Sequence, residues 1–100
     1  MRSWLLAIAL ALAAAVATAG AHEKFKIVGK VAGLKKDEIA VKAIDGATYE
    51  IDMHEDTPVT DKQHKKISQA ELKVGANVVV LALGHDMFDL EAYEIQLVER

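Results

Sequence analysis

Cysteine is absent from this chain of 100 residues, which also contains a single proline and five aromatic residues. Without cysteine the chain has no disulfide framework and no thiol for nucleophilic catalysis or lipid attachment. Its stability must therefore come from one hydrophobic core, which a domain of this size can form with little to spare. No long apolar run follows residue 16, so the remainder of the chain offers no candidate membrane helix.

The first 21 residues have the organisation of a secretory signal peptide. Arg2 gives a short positive start, residues 4–16 are an unbroken apolar run, and residues 17–21 offer small side chains at the spacing that signal peptidase needs. The run is shorter than the roughly 20 residues of a membrane span. We therefore predict cleavage after Ala19 or Ala21, with residues 22–100 forming one periplasmic or secreted domain without membrane insertion; the alternative is an uncleaved signal anchor.

Beyond the signal peptide, apolar residues recur with period two in short segments separated by turn residues, which is typical of β-strands. We predict turns at residues 33–37 and 84–89 and five strands, at residues 24–31, 39–43, 48–53, 77–83 and 93–97. The fourth strand is nearly continuous in apolar residues, which favours burial on both faces or a central position. The residues expected to share the core are Ile27, Val41, Ile51, Val80 and Ile95, joined by Phe25, Tyr49 and Tyr93.

The connections carry recognisable turn signals. Gly29 interrupts the first strand, where a strongly bent strand needs a missing side chain, and Asp45-Gly46 predicts a tight hairpin. Residues 54–69 are polar and aperiodic, so we predict a loop with a short extended piece at residues 58–60. Residues 68–71 have the capping-box spacing, which predicts one short helical turn between the third and fourth strands.

Five strands with one helical turn between the third and fourth is the layout of a small OB-like barrel, so the predicted fold is all-β. The elements that carry a further resemblance are Gly29-Lys30-Val31, Asp45-Gly46, Asp56-Thr57 to Val59, Leu72-Lys73-Val74-Gly75 followed by Val78-Val79-Val80, and Ala92 to Ile95. With these elements, almost the whole mature chain resembles a family of small exported bacterial OB-like domains of unknown function. The resemblance implies an architecture and no activity, because the shared positions are turns and core residues.

A more distant likeness is to the periplasmic copper chaperones of copper and silver efflux systems. These are also small OB-like barrels, and the resemblance implies Cu(I) binding through Met, His and a Trp. The only Trp of this chain, Trp4, lies in the predicted signal peptide. That part of the copper pattern is therefore missing from the mature domain.

The mature chain is acidic, which bears on its partners. Loss of Arg2 with the signal peptide leaves 11 basic and 15 acidic residues, a formal charge of −4. Such a surface repels phosphate groups, and Tyr49 is the only aromatic residue on the second and third strands, where single-stranded nucleic acid would need stacking platforms. We therefore expect no nucleic-acid partner.

Catalysis is not expected either. No Ser or Thr of the mature chain lies in a nucleophile motif, and Ser68 is explained as a helix cap. Glu55 and Asp56 beside His54 would make an acid/base cluster, but a solvated loop is the simpler interpretation. We predict that the protein is not an enzyme.

Metal binding is the sharper hypothesis, because imidazole and thioether donors together suit copper. If the end of the third strand and the turn after the fourth lie at one end of the barrel, Met53, His54, His85 and Met87 would face each other as a copper site. The alternative is that Met53 belongs to the core and both histidines are ordinary loop residues. The spacings match no tight ligand motif.

The new N-terminus is a second candidate metal site. Cleavage after Ala19 exposes Gly20-Ala21-His22, in which the amine, two backbone nitrogens and the imidazole could hold Cu(II) or Ni(II) in a square plane. Cleavage after Ala21 exposes His22 itself.

The leading functional hypothesis is a monomeric, non-catalytic exported binding module without a required cofactor. It would bind an unidentified protein or small ligand through the turns after the first, third and fourth strands. Two alternatives stay open: a periplasmic copper-binding or copper-handling protein, and an envelope-associated protein-interaction domain.

Overall fold

The computed structural model of the protein describes residues 23–99, and the predicted signal peptide and His22 lie outside them. This part of the chain is all-β, as predicted. Its elements are β1 (Glu23–Lys35), β2 (Glu38–Ala43), β3 (Thr48–Asp52), β4 (Val59–Thr60), β5 (Lys66–Ile67), a 3₁₀ turn (Gln69–Glu71), β6 (Asn77–Asp86) and β7 (Asp89–Glu99). Within the described residues no helix is long and apolar enough to span a bilayer.

The strands form one sheet in the order β3-β2-β1-β6-β7-β4-β5. β3 stands at one end of this order, yet it also pairs with β7, in parallel, with Ile51 opposite Leu90 and Asp52 opposite Glu91. All neighbouring pairs in the series from β3 to β7 are antiparallel. The five longer strands are therefore connected in a continuous circuit of pairings.

The core lies on the inner face of these five strands. The five residues predicted to share it are confirmed, since each is at most 3% exposed: Ile27, Val41, Ile51, Val80 and Ile95. Alternate side chains point inward along each strand, as the pleat of a β-strand requires. Phe25 and Tyr49 pack partly against this core.

The strand count of five was wrong, because the segment predicted as a loop contains two further strands. The extended piece expected at residues 58–60 is β4, which pairs in parallel with β7 and antiparallel with β5. Each of these strands is two residues long, which is too short to show a period in the sequence. The helical turn is confirmed at Gln69–Glu71, where the Ser68 hydroxyl accepts a hydrogen bond from the backbone N–H of Ala70.

β1 and β6 are longer than predicted, and the turns that follow them are only two residues long. β1 continues to Lys35 through an irregularity in its pairing between Val31 and Gly33, which bends the strand without ending it. Of the two alternatives for the fourth predicted strand, a central position is confirmed, because β6 is the middle strand of the sheet, whereas burial on both faces is not found. Its residues alternate between buried and part-exposed, so Val79 and Leu81 lie on the outer face.

Tyr93 was expected in the core, and this prediction was wrong, because its side chain is 40% exposed. The register between β6 and β7 shifts after Leu81, so that Leu81 opposes Glu94 and Ala82 opposes Ala92. The inward position falls to Ala92, and the bulged Tyr93 turns outward. A strict period of two cannot reveal such a shift.

Two glycines allow close contact between neighbouring backbones. A methyl group on Gly29 would overlap the carbonyl oxygen of Lys42, and one on Gly84 would overlap that of Asp89. The predicted need for a missing side chain at Gly29 is therefore confirmed. Both glycines lie on the buried side of their strands, where a neighbouring backbone approaches closely.

The buried face of β3 gives a test of this register. Ile51→Ala should lower the free energy of unfolding by about 2–4 kcal/mol, because a fully buried Ile leaves a cavity when it is truncated. Glu50→Ala, on the exposed face of the same strand, should change it by less than about 0.5 kcal/mol. Urea titration of both variants measures the difference, and equal effects would contradict the assigned register.

Candidate functional site

A polar cluster surrounds His54, in the loop that follows β3. Its Nε2 atom lies 2.6 Å from Oε1 of Glu91 on β7, and both side chains are more than half exposed. The strand pairing explains this contact. Because Asp52 and Glu91 are directly opposite each other, His54, which follows Asp52 by two residues, begins the loop close to the Glu91 side chain.

Hydrogen bonds to its backbone hold the loop in place. The hydroxyl of Thr57, which is buried, accepts from the N–H of His54 at 2.8 Å. The amide of Gln69 donates to the carbonyl oxygens of His54 and Thr57, at 2.7 and 2.9 Å. The loop is therefore connected to the 3₁₀ turn by hydrogen bonds. Both the N–H and the carbonyl oxygen of His54 are hydrogen-bonded, which fixes the backbone that carries the His54 ring.

A hollow of about 800 Å³ opens between this loop and the turn after β1. Its lining residues are Lys36, Asp37, Met53, His54, Glu55 and Asp56. The two connections are joined where the N–H of Met53 donates to the carbonyl oxygen of Asp37 at 3.0 Å. Three carboxylates and one ammonium group give this open, polar hollow a negative balance.

The carboxylates around His54 change its proton affinity. The hydrogen bond that His54 donates to Glu91, and then the negative charge of Glu91, raise the pKa of His54 above the ordinary value for histidine. Partial loss of hydration opposes this rise, and the charges of Asp56 and Asp52 add smaller contributions that raise the pKa further. His54 therefore stays protonated to higher pH than a free imidazole.

The four residues predicted as copper ligands occupy separate places. Met53 is buried in the core and is 3% exposed, whereas His54 is bonded to Glu91. His85 borders a different hollow, which Asp52 and Glu91 also line. Met87 lies in a third hollow, together with residues of the β2–β3 turn. The structure thus brings both histidines toward Glu91, leaves Met53 buried beside His54, and places Met87 in a separate hollow.

No group of three or more His, Cys, Asp or Glu side chains within residues 23–99 has an arrangement that could hold a metal ion. Met53 is also buried, so it offers no exposed sulfur ligand. Copper binding through Met53, His54, His85 and Met87 therefore stays a prediction. His22, the other candidate ligand, lies outside the described residues, and copper binding there stays a prediction.

A second, apolar surface lies on the outer face of the sheet. We call it the valine groove; its volume is about 400 Å³ and its lining includes Val28, Ile44, Val79 and Val98, with Lys30, Lys42 and Asn77. Register places Val28 directly opposite Val79, and Ile44 continues the row because its N–H donates to the Val28 carbonyl oxygen. Apolar side chains from β1, β6, β7 and the β2–β3 turn thus form one continuous strip.

The groove continues toward the tips of two hairpins. Val28 and Ile44 also line the smaller hollow that contains Met87 and Tyr49. Ile44 is 86% exposed, and Phe88 in the neighbouring turn is 93% exposed. These are the two most exposed large apolar side chains of the described residues.

Sequence reasoning missed the valine groove, although a signal for it was present. Every second residue of β1 and β6 points inward. Val28 and Val79 are apolar, yet they occupy the intervening positions, which point outward. Val98 stands in the same relation to Leu97. Apolar residues on the outward phase of several paired strands predict an exposed apolar strip once the register is known.

Comparison of the chain with protein-family models, with curated proteins and with solved structures found no match.

The ion pair of His54 gives a prediction for pH dependence. Because folding raises the pKa of His54, its stabilising contribution should be complete below about pH 6.5 and should be lost as pH rises through the raised value. Glu91→Gln should lower the pKa of His54 toward that of a free histidine. NMR titration of the His54 ring protons measures this shift.

Glu50→Gln, which removes a carboxylate from the exposed face of β3, is the control and should leave the His54 titration unchanged. An identical His54 pKa in the parent and in Glu91→Gln would show that the contact does not form in solution.

Proposed function

We propose that this protein is a non-catalytic exported binding module whose ligand-binding surface is the valine groove. The observation that carries the proposal is the continuous apolar strip on the outer face of the sheet, made by exposed Val28, Ile44 and Val98 with the part-exposed Val79. Small-molecule sites are mostly apolar with a few polar groups, and contiguous exposed apolar surface marks binding regions. The hollow near His54 is larger, but charged side chains make up most of its lining.

The proposal includes an OB-like barrel as the scaffold, and the register of the strands supports it. The residues paired across the sheet can be followed from Asp52 in two directions, and both routes end on β1. The route through β2 reaches Lys35, and the route through β7 and β6 reaches Lys24, eleven residues earlier on the same strand. A stagger of this kind is what a closed barrel of tilted strands requires. The two short strands β4 and β5 extend the sheet beside β7.

Export is the second part of the proposal, and it is supported by the organisation of residues 1–21. An intact mass that lacks all residues before Gly20 or His22, for protein recovered from the periplasm or medium, would support it. Full-length protein in the membrane fraction would contradict it. Copper handling and envelope interaction remain the alternatives, and metal analysis of the exported protein separates the first of them from the binding proposal.

A neutral apolar fluorophore, N-phenyl-1-naphthylamine, tests whether the groove binds apolar ligands. The parent protein should give a saturable rise in fluorescence. The double variant Val28→Thr with Val98→Thr should bind about tenfold more weakly, because two methyl groups that contact the ligand are replaced by hydroxyls, at about 0.8 kcal/mol each. Val→Thr keeps the β-branched shape, so the strands should be preserved.

The matched control is Val74→Thr, the same substitution at a residue that is 65% exposed outside the groove. It should bind the fluorophore like the parent. Equal affinity in the parent and the double variant would place the apolar binding surface elsewhere.

A further inference from the structure

We propose that the valine groove holds a single acyl chain whose anionic head group lies between Lys30 and Lys42. This inference rests on the proposed function, in which the groove is the binding surface, and it adds the chemical class of the ligand. Three features of the groove support it: its charge, its span and its volume.

Two like-charged residues are paired beside the apolar strip. Lys30 and Lys42 are directly opposite each other on β1 and β2, and both are exposed on the outer face beside the apolar strip. Like charges in this relation destabilise a sheet. Within the described part of the chain neither ammonium group forms a salt bridge, although acidic residues outnumber basic ones. An anion between the two would remove the repulsion.

The span of the apolar strip fits one extended chain. It crosses the sheet from Ile44, next to β2, over β1 and β6 to Val98 on β7, which is three strand spacings or roughly 14 Å. An extended covalent chain advances about 1.2 Å per bond, so a chain of about a dozen carbon atoms covers this length. Such a chain would contact the side chains of Val28 and Val79 along its course.

The volume limits the ligand to one chain. About 400 Å³ is near the lower end of the range for small-molecule sites, and the groove is open to solvent along its length. A two-chain lipid would leave its second chain in water. A small carboxylate or phosphate without an acyl chain would contact Lys30 and Lys42 but would leave the apolar strip exposed to water.

Dodecanoate is the probe, at pH 7.5 and below its micelle concentration, with dodecyltrimethylammonium of equal chain length and acetate as comparisons. Calorimetry should show dodecanoate binding at least tenfold more tightly than dodecyltrimethylammonium, and no binding of acetate at the same concentrations. Amide shifts in the NMR spectrum should be largest at Val28, Val79 and Val98. The double variant Lys30→Gln with Lys42→Gln should lose the preference for the anion.

The matched control is Lys62→Gln with Lys66→Gln, which removes two exposed ammonium groups outside the groove. It should keep the preference of the parent. If both charged amphiphiles bind in the groove equally and the Lys30/Lys42 variant is unchanged, the head-group assignment is overturned while the proposed function stands.

If neither amphiphile nor the neutral fluorophore shifts the groove amides, the proposed function itself fails. Anionic vesicles provide the remaining arm. Sedimentation of the protein with phosphatidylglycerol vesicles, without binding of monomeric dodecanoate, would overturn the single-chain ligand in favour of a membrane surface.

Discussion

The parallel pairing of β3 with β7 is the constraint on which the rest of the structure depends. It gives β3 a second hydrogen-bonded neighbour and places Ile51 and Leu90, both buried, side by side on the inner face. Without it, the sheet order would leave β3 as an edge, with one side of its core residues open to water. The same pairing sets Asp52 opposite Glu91, and the contact between His54 and Glu91 follows from that register.

The outer surface follows from the same arrangement. Successive side chains of a strand point to opposite faces, so residues that alternate with the core residues face outward. Where two such outward residues are apolar and opposite each other on paired strands, their side chains form one apolar surface. This happens where Val28 meets Val79. Exposed lysines lie on β1 and β2. Two carboxylates of β7 have side-chain partners, because His54 bonds to Glu91 and the Thr60 hydroxyl donates to Glu94.

Local patterns predicted what depends on local chemistry. The alternation of apolar residues identified the core, Asp45-Gly46 identified a hairpin whose glycine has φ 92°, and the spacing of Ser68 and Glu71 identified the 3₁₀ turn. What could not be predicted depends on pairing between distant strands. The bulge that turns Tyr93 outward, the contact of His54 with Glu91 and the row of outward valines all require the register, which no short segment specifies.

Proton contacts across the β3–β7 pairing are the most direct measurement of this account. In a two-dimensional NMR spectrum, backbone protons of Ile51 and Asp52 should give cross-peaks to those of Leu90 and Glu91, because paired strands lie about 4.8 Å apart. The amides in this pairing should also exchange slowly with solvent. Absence of these cross-peaks, with exchange at Leu90 as fast as in an exposed loop, would contradict the closed circuit of strands and every placement derived from it.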